Sequence, residues 1–292
     1  MLMAKKSGIM NILSRYLDMN KLIKKVITLS MSIISVLFMF VPETFFLKFK
    51  ILADKPDEIN IIFNRFLSFV LVFLLCAVIN ILYRHFRKSV CIQGHNYSIK
   101  VEYGNLFEFS DCKKVINFDE CFTTTVGEAP ADIKPGSVCG QYLANNPIQD
   151  MQPLIDSVNL KPARSKSEYK NKIRYESGKI VPNSDYLLLS FARLDKNGAG
   201  KFFTLDEFLE CLSTLWKEID IYYAQKDVCI PILGSGITRI ENSNLTQQEL
   251  LDIIIESYKL SPHKIKAPNK LHIVCRKNEN FSLNKIGETL LM

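Results

Sequence analysis

Two stretches near the N-terminus run without a charged residue. Val26 to Pro42, VITLSMSIISVLFMFVP, is seventeen residues long, and Phe66 to Tyr83, FLSFVLVFLLCAVINILY, is eighteen. As helices each would cover about 26 Å, a little short of a hydrocarbon core of about 30 Å. Leu22 and Ile23 before the first, and Ile61 to Phe63 before the second, lengthen them. The pattern therefore predicts two transmembrane helices, over residues 24–46 and 61–84. Lys24, Lys25 and Arg65 can carry their charges out to the interface. Thr28, Ser32 and Ser35 fall on one helix face, and small hydroxyl residues let helices approach closely in lipid. That face either packs within the hairpin or meets other copies of the chain. Met1 to Asn20 reads as an amphipathic interfacial helix.

After Ser89 the pattern changes to short apolar runs alternating with helical periodicity. SVCIQG, YSIKVEYGNLF, KKVINFDE, DYLLLSFARL (Asp185 to Leu194), Val228 to Leu233 and Lys270 to Cys275 read as strands. Leu205 to Ala224 reads as a helix behind Thr204, with Glu207 at the capping-box position. Residues 247–260 read likewise behind Thr246 and Glu249. Phe281 to Leu291 is expected to close the chain as a helix. Between Thr123 and Asn183 the periodicity is weak, with short helices expected in SVCGQYLANN and MQPLIDSVNL. Strands alternating with helices imply an α/β sheet covered on both faces. The domain reading is thus an N-terminal membrane segment, 1–89, and an α/β domain, 90–292.

Charge separates the same two parts. Residues 1–89 hold thirteen Lys and Arg against five Asp and Glu, while the remainder holds 24 against 25. The basic excess belongs to the membrane segment, which argues against nucleic acid as a partner of the larger part. Lys5, Lys6, Arg15, Lys21, Lys24 and Lys25 precede the first span, and Arg84, Arg87 and Lys88 follow the second. The loop between has Lys48, Lys50, Lys55 and Arg65, diluted among acids. This bias puts both termini in the cytoplasm. The eight cysteines show no CxxC and no paired spacing, which fits reduced packing residues. His85, His95, His263 and His272 are isolated, so no metal site is expected. No nucleophile elbow and no Walker loop occurs. Asp119 and Glu120 are adjacent and, on a strand, point to opposite faces. No catalytic residues are therefore assigned.

The candidate chemistry lies in PILGSGITRI, Pro231 to Ile240. A buried strand ends in Gly234-Ser235-Gly236, where backbone amides can converge on an anion; Ser235 and Thr238 add hydroxyls and Arg239 a charge. Earlier, YGNLFEFSDCKKVINFDECF places a Gly104-Asn105-Leu106 turn before a strand that ends in Asn117, Phe118, Asp119 and Glu120. Phe118 is either a stacking platform or core. This order resembles the macrodomain family, in which a G-D-I-T type turn precedes a V-N-A-A-N type strand end and a late P-x-x-G-T-G-I-Y-G type loop wraps a diphosphate. The resemblance covers about residues 90–292 and implies a three-layer macro-like domain with a central mixed sheet. It implies a ligand site formed by Gly104, Asn105, Leu106, Asn117, Phe118, Asp119, Glu120, Gly140, Leu233, Gly234, Ser235, Gly236, Ile237, Thr238 and Arg239. Asn105 stands where the family has an acid, and Glu120 where it has a second asparagine. These departures count against hydrolysis and for a modified ligand.

Two N-terminal spans followed by such a domain resemble the membrane effector of a type II Thoeris anti-phage system. The resemblance implies a sensor without cofactor in the bacterial inner membrane. An ADP-ribose derivative, such as a histidine conjugate made by a partner TIR-domain enzyme that consumes NAD, would drive homo-oligomerisation and disrupt the bilayer. The alternative within the same fold is a membrane-tethered ADP-ribosyl hydrolase.

Overall fold

Prolines punctuate the N-terminal helices. The computed structural model describes residues 19–48, 50–52, 54–201, 204–236, 245–278 and 281–286, and divides the chain into two units between Arg87 and Lys88. In the first unit α1 spans Met19–Phe40, α2 Glu43–Leu47 and α3 Asp57–His85. The first apolar helix stops at Phe40 instead of reaching residue 46, because Pro42 lacks an N–H and holds the residue before it out of helical geometry. α3 opens behind Pro56 with Asp57 and Glu58 in its first turn and closes with Arg84 and His85, charges that complement the helix dipole.

Leu22, Val26, Ser30 and Ile34 recur every four residues on α1 and are buried. Leu22 and Val26 meet Val72, Phe73, Cys76 and Ala77 of α3. Thr28, Ser32 and Ser35 are exposed instead, and the hydroxyls of Thr28 and Ser32 donate to the carbonyls of Lys24 and Thr28 in their own helix. Packing within the hairpin therefore uses a different face from the hydroxyl stripe. The Asn60 amide donates to the Leu52 and Lys55 carbonyls and accepts from the Leu52 amide, while Asn64 donates to the Phe46 carbonyl. Two amides of α3 thus fasten the connector that precedes it. Leu71, Leu74, Leu75, Val78 and Ile79 remain exposed, and α1 and α3 are each long and apolar enough to cross a membrane. The expected interfacial helix lies almost wholly outside the described residues.

In the second unit the strands are β1 Ser89–Gly94, β2 Tyr97–Tyr103, β3 Cys112–Asp119, β4 Ile180–Asn183, β5 Tyr186–Leu194, β6 Gly200–Lys201, β7 Asp227–Pro231 and β8 Leu271–Cys275. The sheet order is β1-β2-β8-β7-β3-β5-β4, with β6 added antiparallel to the end of β5. β2, β8, β7, β3 and β5 run parallel; β1 and β4 are antiparallel edges. The sheet is mixed, as expected. β4 was not expected as a strand. It contains Pro182, which an edge strand tolerates because one side of its ladder needs no donor. The early strand also ends sooner than expected, at Tyr103, and Leu106–Glu108 forms a 3-10 turn.

The central strands are buried on both sides, and their alternation sorts residues into two cores. Leu187, Leu189 and Phe191 of β5 join Val115, Val228, Ile230 and Ile273 on one face. Helices α6 (Leu205–Tyr222) and α7 (Gln247–Leu260) cover that face with Phe208, Leu212, Trp216, Leu251 and Ile254. Ile116, Phe118, Leu188, Cys229 and Val274 face the other way, under α4 (Val138–Asn145) and α5 (Gln152–Ser157), which supply Tyr142, Leu143 and Ile155. The result is three layers. Both expected capping boxes form, Thr204 with Glu207 and Thr246 with Glu249. Replacing Thr246 by alanine removes one of these caps; the expected loss is about 1 kcal/mol of unfolding free energy, read from urea midpoints. At the C-terminus Leu283–Lys285 forms a 3-10 turn, and residues 287–292 lie outside the described part.

Candidate functional site

Because five strands run parallel, their carboxyl ends share one edge of the sheet. β3 is followed, through β4, by β5 on one side, whereas β7 is followed by β8 on the other. The chain therefore turns in opposite directions on leaving β3 and β7, and such a switch point is where open α/β sheets receive ligands. The two strands also part there. Their ladder runs only from Cys112–Asp227 to Lys114–Cys229; beyond it β3 stays with β5 as far as Asp119, and β7 stays with β8 as far as Pro231.

The glycine turn stands at the end of β7. Gly234 has φ +78, a left-handed conformation that L side chains rarely adopt. Among the described residues nothing accepts a hydrogen bond from the amides of Gly234 or Gly236. A Cβ at Gly236 would meet nothing within 4 Å, so the turn is open on that side. Ser235 is exposed, but its hydroxyl donates to the Ile232 carbonyl at 2.7 Å, which stiffens the turn. Leu233 is buried in the core and fixes the base of the turn. Ile237, Thr238 and Arg239 lie outside the described residues.

On the β3 side Asn117 is half-buried, and its side chain has no hydrogen-bond partner among the described residues. Gly104 and Asn105 reach the same edge of the sheet at the end of β2, both exposed. The Gly104 amide donates to the Cys275 carbonyl at the end of β8, and the Asn105 side-chain oxygen accepts from the Phe107 amide, capping the turn that buries Leu106.

Four expected site residues do other work. Phe118 is buried and packs on Phe122 and Tyr142, with ring centroids 5.9 and 6.1 Å away, so it is core and not a stacking platform. Asp119 accepts from the Cys121 and Thr123 amides and shapes the turn after β3; burial pushes its carboxyl up against those bonds and the Lys172 charge. Glu120 is buried, accepts from Ser167 Oγ at 2.6 Å and the Leu194 amide at 3.2 Å, and pairs with Arg174 Nη1 at 3.2 Å. It therefore anchors the fold where the resemblance implied contact with a ligand. Gly140 is buried too: a Cβ there would fall 2.3 Å from the Lys134 carbonyl, so glycine serves packing and not ligand approach. Sequence reasoning missed the segment that Glu120 holds, residues 163–175, which carries no periodicity.

A mixed sheet between two helical layers, with an open glycine turn at its switch point, defines an α/β domain of the macro type. The family model described as Thoeris protein ThsA, Macro domain, matches residues 99–276, and the chain belongs to that family. The match starts within β2 and ends just after β8, leaving the two apolar helices outside it. The Thoeris protein ThsA of Bacillus amyloliquefaciens (strain Y2) is 29% identical over 206 residues, 68% of this chain and 69% of that protein. Membership places the chain in Thoeris anti-phage defence. Solved structures with a similar outline include a variant Oceanobacillus iheyensis macrodomain (10% identity, 70% of this chain, 98% of that one, TM-score 0.46). The same macrodomain with ADP covers 70% of this chain and 94% of its own, with 10% identity and a TM-score of 0.40. A macrodomain of Thermus aquaticus DarG covers 62% and 98%, with 14% identity and a TM-score of 0.35.

Proposed function

We propose that the chain is a ligand-gated membrane effector whose macro domain binds an ADP-ribose-derived nucleotide made by a TIR-domain partner, and that binding drives assembly of several copies and disruption of the bilayer. The observation that carries this reading is the pair of amides at Gly234 and Gly236, which find no acceptor among the described residues, beside the strand separation where the Asn117 side chain finds no partner among them either. Glycine amides without an acceptor among the described residues, in a turn at a strand end, are a ready seat for a diphosphate. The enzymatic alternative finds less support: Asp119 and Glu120, the two acids at the end of β3, are both committed to holding local structure.

For binding to switch the protein, the ligand must prefer the assembled state. Reversing a population from 1:99 to 99:1 takes about 10⁴-fold differential affinity. The exposed Thr28, Ser32 and Ser35 stripe, unused within the hairpin, supplies a face for contacts between copies. The test is the mass of the full-length protein in detergent, measured by light scattering with and without nucleotides extracted from cells in which the TIR partner is active. A several-fold rise in mass is expected. Binding without any rise in mass defeats the assembly step, and release of a hydrolysed product favours the hydrolase.

A further inference from the structure

The segment held by Glu120 has an unusual charge. Residues 161–174, KPARSKSEYKNKIR, carry Lys161, Arg164, Lys166, Lys170, Lys172 and Arg174 against Glu168 alone, a net of +5. The rest of the macro-type unit is correspondingly acidic, since residues 90–292 sum to −1. Only Arg174 has a carboxylate partner here, and it is Glu120. Lys161, Arg164, Lys166, Lys170 and Lys172 form no ion pair with any described residue. A solvated face of a soluble domain ordinarily mixes both signs; five unpaired cations on one short segment describe a seat for an anion.

The backbone fixes where these cations stand. The segment folds back on itself as a hairpin: the Ala163 amide donates to the Arg174 carbonyl, Ser167 to Lys172, and Lys172 to Tyr169. Lys170 and Asn171 at its tip both have φ +53, the left-handed pair of a type I′ turn. The Nζ atoms of Lys170 and Lys172 stand 5.0 and 5.1 Å from the centre of the Tyr169 ring, which gathers both charges at the tip. The base is tied to the end of β3 by Ser167 and Arg174 on the Glu120 carboxylate and by the Tyr175 amide on the Glu120 carbonyl, at 2.7 Å. Lys172 lies close enough to Asp119 to lower its carboxyl against burial. Asp119 is two residues beyond Asn117. The hairpin thus rises from the β3–β5 side of the switch point, while the glycine turn occupies the β7 side.

We propose that this hairpin is a subsite for an anionic group on the distal end of the nucleotide, a carboxylate or a phosphate, and that Lys166, Lys170 and Lys172 supply its charge. The assignment rests on the reading that the glycine turn seats the diphosphate. A nucleotide with its diphosphate at the glycine turn meets the hairpin when its far end extends across β3 toward β5. The basic segment then makes the protein select a nucleotide with a distal anionic group over one without.

Two matched pairs of probes test this on the full-length protein in detergent, by calorimetry. Nicotinic acid adenine dinucleotide differs from NAD by a distal carboxylate in place of a carboxamide. ADP-ribose 1″-phosphate differs from ADP-ribose by a distal phosphate. A charge-assisted contact predicts that the anionic member of at least one pair binds about tenfold tighter or more, with the preference shrinking as salt is raised. Which pair shows it identifies carboxylate or phosphate as the group read. The triple variant Lys166→Gln, Lys170→Asn, Lys172→Gln keeps a turn-compatible residue at position 170, and its preference is expected to fall to within about threefold of unity. Arginine at all three positions is expected to retain the preference. Equal affinities within both pairs, or a preference that survives the triple variant, overturns the hairpin assignment and leaves the glycine-turn reading standing. Failure of all four probes to bind overturns both.

Discussion

Glutamate in place of Gly236 is expected to weaken ADP-ribose binding by at least about 100-fold, because like charges forced together at a binding site cost several kcal/mol. The fold should not notice. A Cβ at Gly236 meets nothing within 4 Å, so the thermal unfolding of the full-length variant should match that of the parent. The change puts a carboxylate on the glycine turn, whose amides find no acceptor among the described residues, and it therefore acts on the anion seat alone. Gly234 gives a contrasting result. At φ +78 an alanine is strained by about 1–2 kcal/mol, and its Cβ would also lie 3.6 Å from Leu250. Gly234→Ala should lower stability as well as affinity. Undiminished nucleotide binding by Gly236→Glu would remove the glycine turn from the site.

The second large effect lies away from the crevice. His272 of β8 is buried between two acids on the neighbouring strands: Nδ1 is 2.7 Å from Glu102 Oε1 of β2, and Nε2 is 2.9 Å from Asp227 Oδ2 of β7. Each ring nitrogen thus faces one carboxylate. It fastens three parallel strands at their side chains, and Lys100 Nζ adds a further contact to Glu102 at 2.8 Å. His272→Ala leaves two carboxylates without their shared partner. The expected loss is about 3 kcal/mol of unfolding free energy, toward the low end for a broken buried pair, since the Asp227 side chain remains 35% exposed. The pH dependence has a definite sign. Burial pushes the Glu102 carboxyl up, but Lys100 and His272 together hold it below its usual value. A carboxyl lowered in the folded state adds stability that is present above its ordinary value and lost as the pH falls through the lowered one. Urea midpoints of the parent and His272→Ala should therefore differ most near neutrality and converge on acidification. A gap that stays constant down to low pH would show that Glu102 contributes nothing through its charge.

These two sites differ in how they announce themselves along the chain. The glycine turn is legible because its signal is local: an apolar run ending in Gly-Ser-Gly needs no partner elsewhere to be noticed. The same holds for α6 and α7, whose capping residues sit three positions apart, and for the two charge-free stretches near the N-terminus. The staple at His272 leaves no such mark, since its acids are 170 and 45 residues away. His272 read as an isolated histidine because isolation along the chain says nothing about isolation in the sheet. Glu120 was misplaced for the same reason. Its partners Ser167 and Leu194 stand 47 and 74 residues further on, and only the pairing of β3 with β5 brings them to it.

The sequence by itself determined the two apolar helices, most of the strands, the capped helices that cover the sheet and the glycine turn at the end of β7, because periodicity, caps and chain breakers act within a few residues. Tertiary structure alone decided that Phe118 is core, that Asp119 and Glu120 hold structure, that the amides of Gly234 and Gly236 find no acceptor among the described residues, and that a basic hairpin stands beside β3. Each of those outcomes is a choice among hydrogen-bond and packing partners distant in sequence, and such choices exist only once the strands have found their order.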